Sequence, residues 1–177
     1  MAEFYQTQEQ LENILGDLLE KMTKLKSKDV LASYPPMGGI PFGHRENKLY
    51  YTISPTGSPI SQWKNRTDST RQSLINRSSQ YTRELELRLV IYGGNAVDIA
   101  TRLLHDVTTQ TIREQLAKNK LYYIPDKSIG PMRLPESRNE QWYERCDLSL
   151  YFYNPVVEDE QLNTFGRVIV VYKKEGK

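Results

Sequence analysis

Two stretches of the chain alternate apolar and polar residues, and a period of two leaves little choice of architecture. In "YTRELELRLVIY", Tyr81 to Tyr92, the residues Leu85, Leu87, Leu89 and Ile91 fall on one side, with Glu84, Glu86 and Arg88 on the other. In "NEQWYERCDLSLYFYN", Asn139 to Asn154, the apolar set is Cys146, Leu148, Leu150 and Phe152. Such alternation is that of a strand with one buried face. The second stretch is the odder of the two. Its other side carries Tyr143, Arg145, Asp147, Ser149, Tyr151 and Tyr153, aromatic rings and an opposed charge pair where plain polar cover would do.

A buried sheet face needs a lid, and the sequence supplies helices. From Thr7 to Leu25 the apolar positions Leu11, Ile14, Leu15, Leu18, Leu19, Met22 and Leu25 recur in steps of three and four along one helix side. Thr7 with Gln10 predicts a capping box, and Lys21, Lys24 and Lys26 put positive charge at the end that the helix dipole favours. "GGNAVDIATRLLHDV" opens a second helix, with Asn95 as a cap and Ile99, Leu103 and Val107 as its buried stripe. Further helix is expected to about Asn119, with a break around Thr108 to Thr111.

Between these elements the chain predicts more strands and two long loops. Val30 to Tyr34 is a short apolar piece, and the "PPMGGIPFG" after it favours irregular backbone. "KLYYTIS", "KLYYIP" and "GRVIVVYK" read as strands. The "DKSIGPMRLPESRNE" stretch reads as a long loop, and Pro155 to Asn163 as a turn. Pro55 to Ser78 is a polar arm with Lys64, Arg66, Arg71 and Arg77 against Asp68 alone, and it holds Trp63. A structureless loop of more than about 15 residues is uncommon in a compact domain, so the arm forms an extended hairpin or waits for a partner to order it. The sum is one α+β domain over residues 1–177: a mainly antiparallel sheet, two amphipathic helices packed on one face, and a long polar loop or hairpin arm over about 55–78.

Chemistry is hard to place on this pattern. His44 lies in a glycine-rich loop and His105 on the polar side of the second helix, and neither has a partner at metal-ligand spacing. The single cysteine, Cys146, excludes an intramolecular disulfide and a cysteine-based zinc site, and it keeps step with Leu148 and Leu150 as a core residue. "GGNA" could seat an anion, but a strand-to-helix turn explains it better. No catalytic, cofactor-binding or metal-binding residue is assigned. Lys and Arg exceed Asp and Glu by only two, which argues against a dedicated nucleic-acid binder. The N-terminus has no signal-peptide pattern, and no apolar run suggests a membrane span.

Protein contact is what remains. Tyr, Trp and Arg are enriched where proteins meet, and twelve tyrosines is a heavy load for so polar a chain. The candidate interface residues are Trp63, Lys64, Arg66, Arg71 and Arg77 on the arm, and Tyr143, Arg145, Asp147, Tyr151 and Tyr153 on the late strand. "PFGHRENKLYYTISPTGSP" and "LPESRNEQWYERCDLSLYFYN", with "LRLVIYGGNAVDIATRL" between them, resemble the neck or tail terminator proteins of tailed bacteriophages. The resemblance implies a homo-oligomeric ring, usually a hexamer, that caps the tail tube in the virion after assembly in the host cytoplasm. Its implied partners are the tail-tube protein and the head–tail connector or adaptor proteins. DNA would only pass through the lumen. Two other readings stand beside it: a different virion interaction protein, such as a head completion adaptor or tail-tube protein, and a small nucleic-acid-binding domain.

Overall fold

A computed structural model describes residues 6–32, 43, 46–57, 64–71, 74–138 and 140–163, with side chains described over these residues except 64, 70, 71, 74–76, 138 and 159–163. Helix α1 runs Gln8–Thr23, and its capping box forms as predicted: Thr7 Oγ1 accepts from the Gln10 amide, and the Gln10 side chain accepts from the Thr7 amide. Lys24 closes the helix in the left-handed region at φ 60°. The short strand β1 (Val30–Leu31) lies parallel to β2 (Lys48–Pro55). A polar strand β3 (Lys64–Arg71) then precedes the long strand β4 (Leu74–Tyr92).

After β4 come α2 (Ala96–Asp106) and α3 (Gln110–Lys118), so the predicted break makes three helices among the described residues where two were expected. Asn95 occupies the cap position of α2, yet its side chain makes no capping hydrogen bond. The strands β5 (Tyr122–Tyr123), β6 (Ile129–Arg133), β7 (Glu136–Arg138) and β8 (Gln141–Tyr143) follow, and β9 runs Arg145–Asn163.

The principal sheet is mainly antiparallel, in the order β1-β2-β4-β9-β5. Strand β4 forms its centre, paired with β9 along its whole length. On its other side it pairs with β2 through Leu85–Tyr92 and with β3 through Leu74–Tyr81. The arm is thus an extended hairpin, one of the two predicted alternatives, with β9 as its third strand.

Two expected irregular segments turn out to be strands. The loop read over "DKSIGPMRLPESRNE" contains β6 and β7: β6 is an edge strand on β9 that accommodates Gly130 and Pro131 by a shift of register between Ile129 and Met132. The turn read over Pro155 to Asn163 is a continuation of β9. The Ile124 amide donates to the Tyr151 carbonyl, so the odd-numbered backbone groups of β9 face away from β4. Pro155 falls on that side, and its missing N–H is not needed by the pairing with β4.

All three helices cover one face. Leu11, Leu15 and Leu19 of α1, Ala100 and Leu103 of α2 and Leu116 of α3 share a core cluster with the alternating residues of β2, β4 and β9. Cys146 sits in that core as predicted, and burial pushes its thiol pKa up. Gly16 lets α1 approach the sheet closely: the Tyr51 hydroxyl donates to the Glu12 carbonyl at 2.9 Å, and a Cβ at Gly16 would lie 2.6 Å from that hydroxyl.

Candidate interaction surface

The face turned away from the helices is built in rows by the register of three strands. Lys48, Tyr92 and Arg145 lie side by side, followed by Tyr50, Val90 and Asp147, then Thr52, Arg88 and Ser149, then Ser54, Glu86 and Tyr151. Glu84 and Tyr153 come next, at the root of the arm. Alternation predicts this whole face to be open, and the structure divides it in two.

One end is closed by the hairpin of β7 and β8. Tyr50, Val90 and Tyr92 are buried there, with Tyr143 and Leu31 packed against them. The Tyr92 hydroxyl donates to Glu136 Oε2 at 2.9 Å. Arg145 binds Asp147 with two hydrogen bonds of 2.7 Å, reaches Glu136 Oε2 at 3.4 Å and lies 6.0 Å from the Tyr92 ring centroid. The opposed charges noted in the sequence therefore pair within the chain and clamp the hairpin to the sheet. Arg145→Lys keeps the charge but loses the bidentate fork. We expect it to lower unfolding free energy by about 1 kcal/mol in urea titration, with faster hydrogen exchange in β7 and β8. Unchanged exchange in those strands would sink the clamp.

The other end is more open. Arg88 is exposed and reaches Glu86 at 3.4 Å, and Ser149 also donates to Glu86. Burial and the Glu86 carboxylate raise the pKa of Tyr151. Tyr151 and Tyr153 are half-buried, so each ring leaves some surface for contact. Glu84, expected on the open face, is 3% exposed. It lies beneath Thr56 and Lys127, whose side chains donate to it at 3.0 and 2.6 Å, and the same carboxylate raises the pKa of Lys127.

The arm residues fall apart as a group. Arg66 is exposed on β3, and Arg77 binds Asp68 across the hairpin at 3.0 Å. Lys64 and Arg71 lie on β3, but their side chains, like Trp63 as a whole, fall outside the described residues, as do His44 and the expected strand "GRVIVVYK". Sequence reasoning passed over Trp142, which is 68% exposed on β8, next to the inward Tyr143. The signal was present: neighbours on a strand face opposite ways, so an inward Tyr143 turns Trp142 outward.

Among the described residues no group of acidic, histidine or cysteine side chains could hold a metal ion, and no helix is long and apolar enough to cross a membrane. What is built here is surface: a half-open sheet face of tyrosines and paired charges, and a polar three-stranded arm. No curated protein matches the chain. A family model described as phage neck terminator protein matches residues 9–176, spanning both the sheet and the arm. With that match over nearly its whole length, the chain belongs to the phage neck terminator protein family.

Proposed function

We propose that copies of this chain close into a ring, six-membered as the resemblance implies, that caps the tail tube, stops its growth and offers the other side to the head connector. The ring would sit at the neck of the virion, assembled in the host cytoplasm, with DNA only passing through its lumen. Such a protein works by geometry and needs no catalytic residue.

The observation that carries this reading is the arm. The contiguous core cluster ends at Leu85 on β4 and at Phe152 on β9, with Val156 the one further buried apolar side chain described, yet both strands continue, to Leu74 and Asn163 respectively. From Leu85 to Leu74 is roughly 35 Å of strand at about 3.3 Å per residue. The added strand β3, "KNRTDSTR", has no apolar residue. A sheet of few strands needs an apolar face to be stable alone, so a long polar arm gains most of its support from a neighbour. Head-to-tail contact of this kind makes rings, because each copy offers two different patches.

Light scattering on purified protein over a wide concentration range tests this. We expect a discrete closed multimer, with six copies as the specific outcome. A monomer throughout, together with single copies on isolated tails, would overturn the ring.

A further inference from the structure

Helix α1 and strand β3 leave the root of the arm in opposite directions. Gln8 donates to the Ile53 carbonyl near that root, and α1 then runs back past Tyr51, whose hydroxyl meets Glu12. Strand β3 pairs with β4 from Tyr81 outward to Leu74, away from the root. The two elements therefore cannot meet within one chain, yet their charges are complementary.

Helix α1 carries Glu9, Glu12, Asp17 and Glu20 against the one base Lys21, with Glu9, Asp17 and Lys21 exposed. Their field is felt inside the protein: after burial, the charges of Glu12, Asp17 and Glu20 raise the pKa of Tyr51. Strand β3 carries Lys64, Arg66 and Arg71, and its one acid, Asp68, is held by Arg77. The acids span roughly 17 Å at about 1.5 Å per helical residue. Arg66, the one of the three cations whose side chain is described, is exposed on β3, and a strand of about 3.3 Å per residue lets it reach any one of the acids along that span.

A second feature of α1 also calls for a donor. A groove of about 350 Å³ lies between α1 and α3, lined by Ile14, Asp17, Leu18 and Gln115 together with the exposed Lys21 and Lys118. Gln115 Oε1 is buried without a hydrogen-bond donor among the described residues. A guanidinium entering beside Asp17 supplies one, while the two lysines keep their heads in solvent.

We infer that the basic strand β3 of one copy docks on the acidic outer side of α1 of the next, with Arg66 directed at Asp17 and the α1–α3 groove. This rests on the ring reading and names its contact. The chain itself supplies both surfaces, and their separation makes the contact head-to-tail, as a ring requires.

Two variants test it. Lys64→Glu with Arg66→Glu, two positions apart on the strand, makes the arm acidic, and Asp17→Lys with Glu20→Lys makes the helix basic. Each alone juxtaposes like charges, and we expect each to weaken assembly at low salt by about tenfold or more. Mixed together, the two variants again present opposite charges at every contact, so an alternating ring with an even number of copies should return. Full assembly of either variant alone, or no recovery on mixing, overturns this contact while a wild-type ring leaves the ring reading standing. A wild-type protein that never assembles, in solution or on tails, overturns the ring reading and this contact together.

Discussion

Gly93→Ala is expected to lower the unfolding free energy by roughly 3–5 kcal/mol, whereas Gly94→Ala should stay within about 1 kcal/mol of the wild type. The two glycines are adjacent in the turn that carries β4 into α2, and only one is constrained. Gly93 has φ +113°, a conformation that side-chain-bearing residues rarely adopt. A Cβ there would collide with Asn47 Oδ1 and lie 2.7 Å from both the Asn47 Cα and the Glu46 carbonyl oxygen. Two of these atoms are backbone and have nowhere to go. A Cβ at Gly94 meets nothing within 4 Å.

The turn is also tied down on every side. The Gly93 amide donates to the Glu144 carbonyl at 3.0 Å, the Ala96 amide donates to the Gly93 carbonyl, and Asn47 Oδ1 accepts from the Asn95 amide. Strain at Gly93 therefore spreads to the start of α2 and to the row of Lys48, Tyr92 and Arg145. Urea midpoints of the two variants, measured side by side, decide the matter. Equal midpoints for Gly93→Ala and Gly94→Ala would show that the backbone can yield.

The helix-covered half of the fold was legible because its periods are enforced by burial. A strand that slips by one residue would expose Leu85, Leu87 and Leu89 at once, so their alternation is a reliable sign of register. The cap of α1 was equally readable, since Thr7 and Gln10 bond locally and need no tertiary partner. Edge strands gave less away. Pro131 and Pro155 look like breakers in sequence, but Pro131 sits in a register shift of an edge strand and the missing N–H of Pro155 falls on the outer side of β9.

The interaction surface was legible only in outline. Alternation turned Glu84 and Arg145 away from the helices correctly, but it does not say what lies above them. Glu84 is covered by Thr56 and Lys127, distant by 28 and 43 residues, and Arg145 by Glu136 of a hairpin not foreseen. Local pattern reports which side a residue takes. Whether that side is solvent depends on long-range packing, and a charge that finds a partner there becomes internal structure.

Asn154→Leu is expected to lower the unfolding free energy by roughly 3–5 kcal/mol, and to loosen the arm more than the rest of the sheet. Asn154 lies on the same side of β9 between the buried Phe152 and Val156, a polar seal set into the end of the apolar face. It is fully buried. Arg83 Nε donates to its side-chain oxygen at 2.6 Å, and its amide nitrogen donates to Gln6 Oε1 and to the Lys120 carbonyl, both at 3.0 Å. Arg83 also donates to the Gln6 carbonyl, and Gln6 to the Asn119 carbonyl. One side chain thus joins β4, β9, the end of α3 and the lead into α1.

Leucine has about the right volume but can replace none of these bonds, and of the partners it abandons Gln6 is buried and Arg83 half-buried. Each buried polar group left unsatisfied costs about 1–3 kcal/mol, and a charged one more. Because Arg83 pairs with Asn154 in the row where the arm leaves the helix-covered sheet, the same loss should free the arm's direction. Hydrogen exchange should therefore rise in β3 and the outer half of β4 before it rises at Leu87 or Leu89. If exchange rose evenly across the sheet, Asn154 would be a general stabiliser with no particular hold on the arm. If stability were unchanged, water or the neighbouring side chains would have taken over its bonds, and the polar seal would not be what sets the arm's direction.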